Sequence, residues 1–323
     1  MSTAAGIPVF DHDAVLQAVS PLEAIERVRD AFVRYASGEW SMPAKVYLDA
    51  APSGDFRAMP AQGGGLAILK WVTSFPGNPK RGLPVVMGVV CVSSTETGEP
   101  LALLDARSVT ALRTGAVAAV AAQELAREDA VSVGIVGCGL HGSYAGRCLA
   151  AAEYAPGVCF DPDPDAAGSL AGELGWEAGS LEDALACDVV TCVTPGHEPT
   201  VGPSDLRPGM HLSMLGADGP GKAELQIDVF QGRGPAPVSL FCDEWTQASH
   251  GGELTGAVEA GLVRREDVQE LCAVLTGAAS GRPDLDAITD FDSTGLAIQD
   301  LAIAHAVLEA HAAGTRAAPR VRL

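Results

Sequence analysis

The chain has 323 residues, a hydrophobic content of 47% and a formal net charge of −20 at pH 7, the composition of a globular protein long enough for two cores. That negative balance argues against a nucleic-acid partner, because phosphate backbones are bound by basic surface, and no uncharged apolar run reaches the length of a bilayer span. Its eight cysteines are scattered without C-x-x-C pairs, so neither a disulfide framework nor a metal site is expected.

In chain order, the first residues, Met1-Ser-Thr-Ala-Ala-Gly6, lack the basic segment of a secretory signal, which points to a cytoplasmic protein. Ser20-Pro-Leu-Glu23 reads as a capping box with proline at the first helical position. Leu22, Ile25, Val28, Phe32 and Ala36 then recur at helical spacing up to Gly38. Between residues 42 and 104 the pattern changes to short strand-like runs at 45–48, 66–69 and 84–92. Gly/Pro turns at 75–78 and 97–100 separate them, predicting an antiparallel or mixed sheet. An alanine-rich helix is expected over 108–127.

Residues 131–142, VSVGIVGCGLHG, are the most informative stretch: an apolar run breaks into G-x-G-x-x-G, as where a strand meets the phosphate-binding turn of a dinucleotide fold. Gly137 permits the tight turn, Gly139 lets backbone N–H groups approach a pyrophosphate, and Gly142 lets the helix predicted over 140–152, beginning Leu140-His141, lie close on the strand. A second apolar segment at 157–160 ends on Asp161, near the offset expected for a carboxylate that accepts from the adenosine ribose. Asp163 and Asp165 follow with no arginine between them, so a 2′-phosphate would meet three acids and NAD is expected rather than NADP. A helix over 164–174, strands at 188–193 and 211–215, and an apolar helix from 294 toward Gly314 complete the pattern. The βαβ alternation predicts a doubly wound parallel sheet. Only four of the 21 basic residues are lysine, at 45, 70, 80 and 222.

Four segments flank or follow this fold: LKWVTSFPGN (69–78), LALLDARSVTALRTG (101–115), GADGPGKAEL (216–225) and FDSTGLAIQD (291–300). Together they resemble the ornithine cyclodeaminase/μ-crystallin family over nearly the whole chain. The resemblance implies an α/β protein in which a Rossmann domain (121–295) joins an α+β substrate-binding and dimerisation domain (1–120, completed by a C-terminal helix, 296–323), assembled as a homodimer. It places Lys70 at the family's active-site lysine, Arg113 at the arginine that holds the substrate carboxylate, and Asp218 at the acid facing the nicotinamide. Thr114, Thr194, Lys222 and Ser293 fall where cofactor contacts are expected.

Two departures stand out. His141 occupies a turn position where the family usually has glutamine, and it could donate to phosphate or be solvated. Arg57 stands where the cyclodeaminases are expected to carry an acid for the substrate amine. The archaeal-type alanine dehydrogenase branch fits better, with Lys45 and Arg57 as further carboxylate or carbonyl ligands. The expectation is therefore an NAD-dependent oxidoreductase of a small amino, oxo or imino acid. The alternatives are an ornithine cyclodeaminase that uses NAD catalytically and a non-catalytic protein that binds a nicotinamide cofactor and a small ligand.

Overall fold

A computed structural model describes residues 6–195, 198–219, 221–314 and 318–322. Its strands and helices follow in the order β1 (Ile7–Phe10), α1 (His12–Ala18), α2 (Pro21–Ala36), β2 (Val46–Asp49), β3 (Asp55–Gly63), β4 (Leu66–Ser74), β5 (Val86–Ser94), β6 (Pro100–Asp105) and α3 (Ala106–Leu125). Then come β7 (Val133–Val136), α4 (Leu140–Ala151), β8 (Gly157–Phe160), α5 (Pro164–Leu174), β9 (Glu177–Ala178), α6 (Leu181–Leu185), β10 (Val189–Cys192) and β11 (His211–Met214). The last are β12 (Val238–Cys242), α7 (Trp245–Gly251), α8 (Thr255–Glu259), β13 (Val268–Glu270), α9 (Leu271–Leu275), β14 (Ile288–Asp292), α10 (Ala297–Ala312) and β15 (Arg320–Val321). The chain divides into two compact units, residues 1–113 with 296–323 and residues 114–295, so the division falls inside α3 between Arg113 and Thr114. No helix among the described residues is long and apolar enough to cross a membrane.

The first unit is built on a seven-stranded mixed sheet in the order β15-β1-β6-β5-β4-β3-β2, with β1 parallel to β6 and the other neighbours antiparallel. The N-cap half of the predicted capping box is present at α2, where Ser20 Oγ accepts the Glu23 N–H at 3.2 Å and Pro21 opens the helix; the Glu23 carboxylate accepts from Arg27 at 3.4 Å. The buried stripe of α2 is Ala24, Ile25, Val28, Ala31 and Phe32, while Leu22 and Ala36, expected on that stripe, are exposed. Helix α10 packs on α2 and on β3 and β4. It is buried from Ala297 through Ala304, as its apolar composition on every side requires.

Strand β4 runs past the apolar segment read from the sequence, through Lys70 to Ser74. Alternation explains this: Ile68, Lys70 and Val72 are buried on one face, while Leu69 and Trp71 are exposed on the other. A lysine at an inward position ends an apolar run in the sequence without ending the strand.

The second unit holds an eight-stranded sheet in the order β13-β12-β14-β11-β10-β7-β8-β9, with every neighbouring pair parallel. The order is doubly wound: from β7 the chain moves outward through β8 and β9, then returns to β10 on the other side of β7. Val136, Val190, Cys192, Leu212, Met214 and Ile288 belong to its core, and burial on both faces accounts for the near-continuous apolar runs of β7 and β10. The crevice beyond the carboxyl ends of β7 and β10 is the switch point at which such sheets bind ligands.

Candidate functional site

The carboxyl ends of the parallel strands collect most of the residues singled out for a nucleotide. The 137–142 turn follows β7, Asp161 follows β8, Thr194 follows β10, Asp218 and Lys222 lie in the loop after β11, and Ser293 follows β14. Gly137 has φ +97°, and a Cβ there would lie 2.7 Å from the Val193 carbonyl oxygen. A Cβ on Gly142 would lie 1.8 Å from the Gly137 carbonyl oxygen, so α4 can start this close to the turn only with glycine there. Gly139 caps α4 without a side chain and faces open space. Leu140, His141 and Gly142 form the first helical turn, whose N–H groups and positive dipole end suit a pyrophosphate.

Asp161 is engaged within the fold. Its carboxylate accepts the N–H of Cys138 at 2.7 Å and that of Asp163 at 2.9 Å, tying the glycine turn to the end of β8. A carboxylate has about four lone-pair sites, so these bonds leave room for ribose hydroxyls. Thr114 is 3% exposed and its hydroxyl has no hydrogen-bond partner among the described residues. The open turn, the acid and this orphaned hydroxyl are what a dinucleotide would use. Lys222 Nζ lies 2.7 Å from Asp218 Oδ1, and the Asp218 carboxylate keeps about a third of its surface exposed, at 32%. Ser293 donates to Asp243 at 3.3 Å, and the Gly295 N–H reaches the same Asp243 oxygen at 2.7 Å. Among the described residues no group of three or more His, Cys, Asp or Glu is arranged to hold a metal ion.

In the first unit, Lys70, Arg113 and Arg57 are brought together. Lys70 is 1% exposed, and its ammonium donates to Asp300 at 2.8 Å and to Thr110 Oγ1 at 3.4 Å. Burial lowers the Lys70 pKa to about 8. Asp300 opposes the shift, while the positive charges of Arg113 and Arg57 add to it. Arg113 Nη1 donates to Gln299 Oε1 at 3.4 Å, and Arg113 Nε is 3.8 Å from Asp300, beyond hydrogen-bond reach. Arg113 Nε and Gln299 Nε2 are two buried donors without an acceptor among the described residues.

Arg57 is buried at 6% exposure and points inward, on the face of Lys70: Met59 is paired with Lys70 in the β3–β4 register, and Arg57 stands two residues from Met59. Asp55 holds Arg57 through bonds of 2.6 and 3.2 Å, and the Tyr47 ring lies 5.5 Å from its guanidinium carbon. Lys45 is half-buried one residue before β2, with the strand parity of Tyr47, which pairs with Arg57.

Sequence reading assigned no role to Asp300, Gln299 or Glu224, although all three lie inside motifs it quoted. Asp300 and Gln299 are the direct partners of Lys70 and Arg113. Glu224 accepts the N–H groups of Thr194 and Gly216. Helical spacing places Gln299 and Asp300 on a buried helix, but only the packed unit shows which cations they meet.

Residues 10–315 match the ornithine cyclodeaminase/mu-crystallin family. Alanine dehydrogenase of Archaeoglobus fulgidus is 40% identical over 308 residues, spanning 93% of this chain and 94% of that protein. An archaeal alanine dehydrogenase dimer solved with bound NAD superposes with a TM-score of 0.90 at 38% identity, covering 98% of both chains. The Thermococcus litoralis Δ1-pyrroline-2-carboxylate reductase, solved with NADH and L-proline, gives a TM-score of 0.90 at 25% identity, covering 98% of this chain and all of that one. A match of this extent shows that the chain belongs to the ornithine cyclodeaminase/mu-crystallin family.

Proposed function

We propose that the chain is an NAD-dependent oxidoreductase acting on a small 2-amino acid and its 2-oxo or imino counterpart, with alanine and pyruvate as the first pair to test. The observation that carries this reading is the buried cluster of Lys70, Arg113, Asp300 and Gln299, in which Arg113 Nε and Gln299 Nε2 lack acceptors. A buried guanidinium without a full set of acceptors favours an anion, and a carboxylate fits its planar fork. The similarity to alanine dehydrogenases and imine reductases supports the same assignment.

In this reading Arg113 and Gln299 hold the substrate carboxylate. Lys70, with a pKa near 8, exchanges a proton with the carbonyl oxygen or imine nitrogen, and the role proposed for Asp218 is to activate water or amine. Bound NAD supplies the hydride acceptor or donor. Thr114, the 137–142 turn, Asp161, Thr194, Lys222 and Ser293 would hold it. Arg57 and Lys45 add positive potential. Because Asp55 and Asp300 offset part of the charge of Arg57, Lys70 and Arg113, the remaining cationic surplus suits a single carboxylate better than a diamino acid with its second ammonium.

The test is NADH or NADPH oxidation over pyruvate with ammonium or methylamine, other 2-oxo acids and cyclic imines. Turnover with none of them would end the reading. Proline accumulating from ornithine with only catalytic NAD would replace it with cyclodeamination. Catalytic efficiency with NADH should exceed that with NADPH by about 10-fold or more, because Asp161 and the exposed Asp163 and Asp165 repel a 2′-phosphate. Equal use of the two would overturn the cofactor assignment.

The outer face of the first unit's sheet supports a homodimer in the same proposal. Val46, Leu48, Leu69 and Trp71 are exposed there, with Phe56 stacked on Trp71 at 5.5 Å between ring centroids, and clustered exposed apolar side chains of this kind are typical of an interaction surface. Light scattering should report a dimer for the parent and a monomer for the double variant Leu69→Arg, Trp71→Glu. A parent that is already monomeric would remove this part of the proposal.

A further inference from the structure

In the second unit one buried side chain joins two loops. Glu224 is fully buried; its Oε1 accepts the Thr194 N–H at 2.7 Å and its Oε2 accepts the Gly216 N–H at 2.7 Å. Thr194 begins the loop after β10, and Gly216 begins the loop after β11 that carries Asp218 and Lys222. The Asp218 N–H donates back to the Gly216 carbonyl at 3.1 Å, so the position of Gly216 sets that of Asp218. Glu224 is itself anchored at the backbone. Its N–H and that of Leu225 donate to Glu253 at 2.8 and 2.7 Å, and its carbonyl accepts from Thr200 and Val201 at 2.7 and 2.9 Å.

We propose that Glu224 is a positioning residue: its two carboxylate oxygens lock the Thr194 and Gly216 loops together and so hold Asp218 and Thr194 in the geometry that the bound nucleotide and substrate need. The effect on turnover rests on the oxidoreductase reading above, whereas the locking of the loops does not. Two acceptors are required at once. A glutamine offers one, and its NH2 group would face a backbone N–H donor. Removing this charge relieves one repulsion, because the neighbouring buried acids Glu253 and Asp290 are pushed up to about 8 by burial and then by the negative charge of Glu224.

The test compares the parent with Glu224→Gln, Glu224→Asp, Asp218→Asn and the Glu224→Gln, Asp218→Asn double variant. In the cofactor-free protein, amide exchange at Thr194 and Gly216 should accelerate in Glu224→Gln while the core strands β7 and β10 keep their protection. Turnover should fall by about 10²-fold, as a misplacement of the order of an ångström produces, and NADH titration should show weaker binding. Asp218→Asn should then cost far less in the Glu224→Gln background than in the parent, since the two act through one geometry. Glu224→Asp, which keeps the charge and both acceptors on a shorter stem, should recover part of the lost protection, and it also carries the test if the glutamine variant does not fold. Unchanged exchange at Thr194 and Gly216 in a folded glutamine variant would overturn the proposal, as would a full, additive cost of Asp218→Asn. A parent that binds no NADH but shows the exchange effect would refute the oxidoreductase reading and leave the lock standing.

Discussion

Lys70→Met is expected to lower turnover by about 10²–10⁴-fold, the contribution of a placed acid–base group, while leaving NADH affinity near that of the parent. Lys70 is buried against Asp300 and titrates at about 8, so near neutral pH it is largely protonated and can donate to a substrate oxygen or nitrogen. The sign of the pH dependence follows. Reduction, which needs the protonated amine, should decline as pH rises through about 8, and oxidation, which needs the free amine, should increase. Methionine keeps most of the buried volume but has no titrating group, so this limb of the profile should vanish with the rate. The glycine turn that would hold the nucleotide lies in the other unit, which is why binding should persist. Parent-like turnover in a folded Lys70→Met protein would show that the lysine has no chemical role.

Asp300→Ala is expected to destabilise the protein by about 3–5 kcal/mol, the usual cost of removing one partner of a buried ion pair. Both Asp300 oxygens lie within 2.8 Å of Lys70 Nζ, and Asp300 itself is fully buried. Its loss leaves the Lys70 ammonium and the Arg113 guanidinium without their shared anion. Since Asp300 raises the pKa of Lys70, the variant lysine should titrate below 8. The unfolded chain keeps the higher value, so it binds more protons than the folded variant between these two pKa values, and variant stability should rise with pH across that window. The difference from the parent is then greatest below the variant's Lys70 pKa, shrinks from there up to about pH 8, and is constant above, where both folded proteins carry a neutral amine. Urea denaturation near pH 6 and near pH 9 measures this. An equal midpoint for parent and variant at both pH values would mean that the pair contributes nothing to stability.

The sequence by itself determined the features governed by local rules. The 131–142 run defines β7, the turn and the start of α4, because an apolar strand, a positive-φ glycine and a helix N-terminus each leave a signature within a few residues. The α2 cap is legible from Ser20 and Pro21, and α5 is legible from its apolar spacing with proline at the first position. Strand β3 was not legible: Arg57, Pro60 and Gln62 interrupt it, and its neighbours β2 and β4 set its register. Strand β14 escaped for a related reason, since Asp290 and Asp292 look solvent-seeking in sequence yet are buried in the middle of a parallel sheet.

Around the candidate site the division is the same. Lys70, Arg113 and Asp218 stand out by motif, but their partners are set by packing. Asp300 and Gln299 lie more than 180 residues from the cations they meet, and no spacing rule reaches so far. The inward orientation of Arg57, its clamp by Asp55 and the double acceptor role of Glu224 were decided only by the tertiary structure. Burial is what turns a carboxylate or guanidinium that would be solvated in an open chain into a fixed partner, because an unpaired charge or donor removed from water costs too much to remain.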